Sequence, residues 1–361
     1  MNVLFLIDSL GSGGAQRQIV TLSKMLKDIG YNVSVLCYTY ANFFAEYLEE
    51  ADIPIHWVNK SNYIERIFSV RRFIRRGNYD AVISFLDVPN FLNCFAAIGG
   101  RSWKVITSER SSKKELLRSR QGRIFAWFQR YSDAIVCNSN NAKEMWIEYY
   151  PRYKNKLEVI YNPVILPTIS SKYISKRNGK LHIVVAASYQ YLKNPIGLIK
   201  ALILLNENER KKIKVDWYGR IEVTKGDRRA YDDAVSLIED NNLHDIIQLH
   251  KPTTDILNKM NEADVVALFS ELEGLPNAIC EGMMLGKPII MSKVSDYDQL
   301  IDESNGVLCD WDNPESIRDA ILYMAQLTKE ELIEKGKQSI LKAENLFSSE
   351  GIVSQWIKLI G

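Results

Sequence analysis

Two kinds of apolar pattern alternate along the chain. Short, near-continuous apolar runs occur at residues 2–7, 32–38, 81–86, 104–108, 134–138 and 157–161, as parallel strands covered on both faces require. Between them, apolar residues recur at three- and four-residue intervals over 14–29, 62–76, 89–99 and 140–150, the spacing of helices with one buried face. Strand and helix in series predict a doubly wound α/β sheet. The pattern fails over 163–180, where Pro163, Pro167, three serines and Lys176-Arg177-Asn178-Gly179-Lys180 show no period. It then restarts, with strands expected at 181–187, 213–218, 245–250, 264–269 and 288–292.

The expected organisation is two Rossmann-like domains, 1–165 and 181–344, joined by a linker at 166–180. Open parallel sheets bind ligands beyond the carboxyl ends of their strands. Two such domains facing across a cleft would place a site between them. The tail, 345–361, carries Phe347, Ile352, Val353, Trp356, Ile357 and Ile360 at helical spacing. A helix there is expected to cross back and pack on the N-terminal domain.

Composition narrows the class. Of 361 residues, 46% are apolar and 25% charged, which excludes a disordered, collagen-like or disulfide-stapled chain. Five scattered cysteines, Cys37, Cys94, Cys137, Cys280 and Cys309, read as reduced buried thiols. The four histidines show no metal-ligand spacing. No apolar run nears the roughly 18 residues of a membrane span. Asn2 to Ile7 reads as a strand rather than a leader, so a cytoplasmic location is expected.

The net charge of +2 conceals an asymmetry. Residues 1–165 hold 22 Lys/Arg against 15 Asp/Glu, and the remainder 24 against 29. Arg66, Arg71, Arg72, Arg75 and Arg76 share one helical stretch with Ile64, Ile67, Phe68, Phe73 and Ile74. Lys113, Lys114, Arg118, Arg120 and Arg123 precede Phe125, Trp127 and Phe128. Basic amphipathic segments of this kind suit an anionic membrane surface, or else a solvated helix face. No nucleic-acid motif accompanies them, and no nucleic-acid partner is expected.

Several constellations could carry chemistry. Gly11-Ser12-Gly13-Gly14-Ala15-Gln16 follows the first strand and opens a helix, either as a tight turn or as a loop that approaches an anion. Gln16 breaks the dinucleotide pattern and the second strand ends without an acid, which disfavours a nicotinamide enzyme. Glu273-Gly274-Leu275-Pro276-Asn277 leads from a strand into a helix whose first turn Pro276 suits, with Glu281 on the order of 7 Å further along the axis. Amides at that helix start suit a diphosphate, and flanking carboxylates accept hydrogen bonds from sugar hydroxyls. The alternative is a capped helix behind a solvated acidic loop. Lys193-Asn194-Pro195, before another helix, could neutralise a diphosphate or be an ordinary surface lysine. Thr107-Ser108-Glu109-Arg110-Ser111 puts an acid and a base at a strand's carboxyl end, where they either meet a polar substrate or pair locally. Two D-x-D matches, at Asp296 and Asp310, are too short to imply a metal, and none is expected.

In this order and spacing the elements resemble the retaining glycosyltransferases of family 4, bacterial surface-polysaccharide type, which have the GT-B fold. The E-x7-E block from Glu273 to Glu281 carries most of the likeness, with Gly13-Gly14-Ala15, Tyr161-Asn162-Pro163-Val164 and Lys193-Asn194. The resemblance implies that Glu281 binds the ribose of a nucleotide sugar and that Glu273 meets hydroxyls of the donor sugar. Backbone around Gly274, Leu275, Pro276 and Asn277 would meet the diphosphate, aided by Lys193. Gly13 and Gly14 would approach the donor. The base would sit near Tyr218-Gly219-Arg220 and His250-Lys251-Pro252. Two positions depart from the family. Ser188 stands where an Arg is usual, which shifts diphosphate neutralisation to Lys193, Arg110 or Arg220. Glu109 stands where a His is frequent, as in a subset acting on amino-sugar or galactose-type donors.

The implied reaction transfers a sugar, with a uridine-diphosphate donor favoured, to a hydroxyl of a lipid-linked or growing glycan. Lys193, Glu273 and Glu109 would be catalytic, Glu109 and Arg110 would face the acceptor, and neither cofactor nor metal would be needed. The other readings are an epimerase or phosphorylase of the same fold, or a non-catalytic glycan-binding relative.

Overall fold

A computed structural model describes residues 1–110, 117–166 and 179–361, which form two compact units. The first comprises Met1–Pro163 with Ser349–Gly361, and the second Val164–Ser348. Lys113, Lys114 and linker positions 167–178 lie outside the described residues.

The first unit is built on seven parallel strands: β1 (Asn2–Ile7), β2 (Asn32–Cys37), β3 (Ile55–Trp57), β4 (Ala81–Phe85), β5 (Lys104–Glu109), β6 (Ala134–Cys137) and β7 (Leu157–Val159). Their order is β3-β2-β1-β4-β5-β6-β7. Phe5 lies opposite Val35 on one side and Ile83 on the other, so the central strands are buried on both faces. Ile19, Leu22 and Leu26 of the helix Gly14–Asp28 cover one face, with Ile352 and Trp356 of the last helix. Val70, Ile74 and Leu92 cover the other. Trp356 stacks on Phe85 at 6.2 Å.

The second unit repeats the architecture with six parallel strands: β8 (Leu181–Ala186), β9 (Ile213–Tyr218), β10 (Ile247–His250), β11 (Val265–Leu268), β12 (Ile289–Ser292) and β13 (Gly306–Cys309). Their order is β10-β9-β8-β11-β12-β13. In both sheets the direction of winding reverses beside the first strand, between β1 and β4 and between β8 and β11. Such a reversal leaves a crevice at the strands' carboxyl ends, because successive loops diverge there.

The tail differs from the single helix expected over 345–361. Phe347 ends the helix Lys329–Phe347, and a new helix, Ser349–Ile360, begins after Ser348. Among the described residues no helix is long and apolar enough to cross a membrane.

Candidate functional site

In the second unit the two loops leaving the switch point are bonded to each other. The loop after β8 makes a short turn, Tyr191–Lys193, and passes through Asn194 in the left-handed conformation at φ 63°. Asn194 caps the helix Pro195–Ile203 by accepting from the Gly197 amide at 3.0 Å, and its side chain donates to the Trp311 carbonyl at 2.6 Å. That double anchorage fixes the backbone carrying Lys193. The loop after β11 returns the tie: the Glu271 amide donates to the Leu192 carbonyl at 2.9 Å. Lys193 Nζ lies 2.6 Å from Glu273 Oε1, and Ser270 Oγ donates to the same oxygen at 2.7 Å. The two charged side chains are 19% and 12% exposed, so they are shielded yet reachable.

The run after Glu273 is equally constrained. Ser295 Oγ donates to the Gly274 carbonyl, and Ser292 Oγ to the Ser270 carbonyl at 2.6 Å. The helix begins at Asn277, one residue later than expected, with Pro276 ahead of it. The Pro276 carbonyl accepts from the Ile279 and Cys280 amides at 2.9 and 3.1 Å. Pro276 has no N–H, so the amides this run can offer an anion are those of Gly274, Leu275 and Asn277. Leu275 is buried, while Asn277 and Glu281 are half-buried.

The residues expected around a base gather at the ends of β9 and β10. Gly219 N donates to the His250 carbonyl at 3.2 Å, and the Tyr218 and His250 rings stack at 4.4 Å. A Cβ on Gly219 would fall 1.9 Å from the Ala187 carbonyl oxygen, so only glycine lets this strand end close on the loop holding Ser188. Ser188 is half-buried; Arg220 and Pro252 are exposed. Beneath them Asp216 is buried, with His182 Nε2, His250 Nε2 and Lys214 Nζ each 2.7 Å from its carboxylate. Burial alone would raise the Asp216 pKa, but those three bonds outweigh it and hold the acid below the usual carboxylate range. Nothing in the sequence pattern pointed to Asp216, because its partners lie near the start of one flanking strand and at the end of the other.

In the first unit, Gly13 and Gly14 open the helix Gly14–Asp28. A Cβ on Gly13 would lie 2.0 Å from Gln16 Oε1. Gln16 folds back here and donates to Asp8 at 3.0 Å. A side chain at position 13 would therefore displace the Gln16 carboxamide from this contact.

Glu109 ends β5 and is 5% exposed. Asn90 Nδ2 donates to its Oε1 at 3.0 Å and to the Ser108 carbonyl at 3.0 Å. Asn90 comes from the helix Asp87–Ala96, which starts two residues earlier than expected, after Leu86 at φ 82°. That strained backbone delivers Asp87 beside Glu109. Burial first, and then the charge of Asp87, raises the Glu109 carboxyl well above its ordinary range, against Asn90 and Arg110. Arg110 does not pair with its neighbour. It donates to Asn162 Oδ1 and lies 3.9 Å over the Phe85 ring. The Tyr161-Asn162-Pro163-Val164 motif thus contributes the side chain that holds Arg110. Burial lowers the Arg110 pKa, though a guanidinium keeps its proton.

The basic helix, Tyr63–Arg76, is less free than its composition suggests. Arg71 donates to the Phe95, Ala96 and Ile98 carbonyls and Arg75 to those of Ala96, Ile98 and Gly100, capping the neighbouring helix. Arg66 reaches the Lys60 carbonyl. Arg76 is exposed together with Tyr63, Ile64 and Phe68. Among the described residues no group of three His, Cys, Asp or Glu side chains could hold a metal. Asp310 pairs with Lys293 at 2.9 Å, and Asp296 is buried ahead of a short helix.

Comparison with known proteins adds a family. Residues 12–166 match Glycosyltransferase Family 4, and residues 169–339 match Glycosyl transferases group 1. The chain is 24% identical over 377 residues to the GalNAc-alpha-(1->4)-GalNAc-alpha-(1->3)-diNAcBac-PP-undecaprenol alpha-1,4-N-acetyl-D-galactosaminyltransferase of Campylobacter jejuni, covering 100% of this chain and 98% of that one. It is 20% identical over 307 residues to the capsular polysaccharide biosynthesis glycosyltransferase CapH of Staphylococcus aureus, with 83% of each covered. Among solved structures, Anabaena Alr3699/HepE in complex with UDP superimposes with a TM-score of 0.85 at 18% identity, over 99% of both chains.

Proposed function

The chain is a family 4 glycosyltransferase of GT-B fold, and on that premise we propose a retaining enzyme that moves a sugar from a uridine-diphosphate donor to a lipid-linked or growing glycan. The Campylobacter relative is named for an undecaprenol-linked acceptor and the Anabaena protein was crystallised with UDP, which supports this choice of partners. The observation that carries the reading is the Lys193–Glu273 bond across the switch-point loops of the second unit.

One ammonium there faces a choice between a carboxylate and an arriving diphosphate. Lys193 turns to the phosphate oxygens, whose charge grows as the sugar leaves, and Glu273 is released to accept from donor-sugar hydroxyls. The amides of Gly274, Leu275 and Asn277 add fixed dipoles at the same place. Glu281 takes the ribose hydroxyls, and Ser188, Gly219, Arg220 and Pro252 border the base and diphosphate. In the first unit Glu109 and Arg110 serve the acceptor. The bond from the anomeric carbon to the phosphate oxygen breaks as the acceptor oxygen bonds to that carbon from the same face. The acceptor proton goes to the departing phosphate oxygen, and no enzyme carboxylate becomes glycosylated. Because Lys193 and the amides supply the positive field, the reaction needs no metal.

Turnover in the presence of a chelator, with the product's anomeric configuration read by NMR, tests this. Retained configuration and undiminished rate are expected; inversion, or activity rescued by manganese, overturns it. Membrane contact would run through Arg76 with Tyr63, Ile64 and Phe68, since a surface cation contributes about 1 kcal/mol at an anionic leaflet. Co-sedimentation with phosphatidylglycerol vesicles but not with neutral ones is expected, and equal recovery with both would remove this surface.

A further inference from the structure

The helix Tyr63–Arg76 sorts its arginines by face. Arg71 and Arg75 are committed to backbone carbonyls of the neighbouring helix and the turn after it. Arg72 and Arg76, at the same four-residue spacing, are exposed and have no hydrogen-bond or ion-pair partner among the described residues. Like charges four residues apart on a helix repel. A cation in the last turn complements the helix's carboxyl end, which accounts for Arg75 and Arg76 but not for Arg72, a turn earlier. Arg72 and Arg76 both line a groove of about 390 Å³, within the range of small-ligand sites. Ser69 and Phe73 share that side of the groove, and Val58 and Tyr79 form its other walls. A Cβ on Gly77 would fall 2.1 Å from the Tyr79 ring, so a side chain there would displace this wall. Among the described residues no acid lines the groove. Val58 follows β3, the edge strand, which β2 separates from the switch point between β1 and β4, so the groove lies apart from Glu109 and Arg110 at the end of β5.

We propose that this groove binds a phosphate ester that carries an apolar substituent. Guanidinium forks match phosphate oxygens, and two of them four residues apart on one helix can grip a single phosphate. Ser69, one turn before Arg72 on the same face, adds a hydroxyl donor. Val58, Phe73 and Tyr79 cover the apolar part. Inorganic phosphate alone leaves those walls wet, and an uncharged alcohol leaves both cations unpaired, so neither half of the ligand suffices. The ester is either the headgroup of a membrane lipid or a soluble molecule, and the test separates the two. The inference does not rest on the transferase reading, because the groove is distinct from the site proposed for the donor.

The full chain is titrated with hexyl phosphate, inorganic phosphate and hexanol by isothermal calorimetry, with UDP in excess so that a donor site is already filled. Hexyl phosphate is expected to bind about tenfold or more tightly than either of the others. Arg72→Ala removes one fork and weakens it by about tenfold. Ser69→Met fills the groove and keeps both cations, and it also abolishes the preference, so the conclusion does not depend on one variant folding. Arg120→Ala, an exposed arginine on another helix, leaves binding unchanged. Co-sedimentation with phosphatidylcholine vesicles containing phosphatidic acid then identifies the source. If the ester is a lipid headgroup, Arg72→Lys, which keeps the charge but not the fork, lowers recovery on these vesicles several-fold. If it is soluble, Arg72→Lys weakens hexyl phosphate binding and leaves recovery as in the wild type. Hexyl phosphate binding no tighter than inorganic phosphate and hexanol, or a preference that survives in both folded groove variants, overturns the proposal.

Discussion

Each unit places an acid and a cation at the carboxyl end of its sheet, and the two settings could hardly differ more. In the second unit Glu273 and Lys193 come from loops 80 residues apart and bond directly, at 2.6 Å, with part of each side chain reachable. In the first unit Glu109 and Arg110 are neighbours in sequence and do not bond. Arg110 is drawn off to Asn162 and the Phe85 ring, and Glu109 sits against a second acid, Asp87, with Asn90 donating to its Oε1. The same residue types therefore have opposite electrostatics. Glu273 has a cation as its partner, which on the proposed function it would yield to a phosphate. The other acid is pushed toward its neutral form, which can donate as well as accept.

The sharpest way to break the comparison is to remove the exchanging cation. Lys193→Ala is expected to lower kcat by about 10²–10³, the usual cost of deleting one donor to a developing negative charge. Lys193→Arg should recover part of it. Glu281→Ala, which leaves the couple intact, should chiefly raise the donor KM, by roughly ten- to a hundredfold for a lost hydrogen bond to a charged group. Steady-state kinetics on both variants separates these effects. If Lys193→Ala changes only KM, the ammonium serves binding and not the departing charge.

The frame of both units was legible because parallel strands buried on two faces leave long apolar runs. What escaped were two of the four edge strands. Ile55–Trp57 and Gly306–Cys309 are three and four residues long and need no such run. In the site, Lys193 and Glu273 announced themselves through their helix-start contexts, but their bond did not, since nothing local records which loops a switch point will bring together. Asp87 was hidden for another reason. Leu86 adopts a left-handed φ that non-glycine residues rarely take, so the pattern placed the helix start at 89 and not at 87.

A smaller effect tests the other half of the comparison. Because burial and Asp87 raise the folded-state pKa of Glu109 above its ordinary 4.5, the folded chain holds a proton there that the unfolded chain releases. Stability must then fall as pH rises from about 4.5 through that raised value, and level off beyond it, with a slope of at most about 1.4 kcal/mol per pH unit for one group. Glu109→Gln keeps an oxygen for Asn90 and mimics the neutral acid, so its unfolding curve should lack this slope. The difference in stability between wild type and variant should shift in the variant's favour from pH 5 to pH 8, measured by urea unfolding at fixed ionic strength. Asp87 and Arg110 also face Glu109, and both remain in the variant, so their own titration largely cancels in the difference. A difference that stays constant across that range would mean Glu109 is ionised in the fold, and the contrast with Glu273 would reduce to geometry alone.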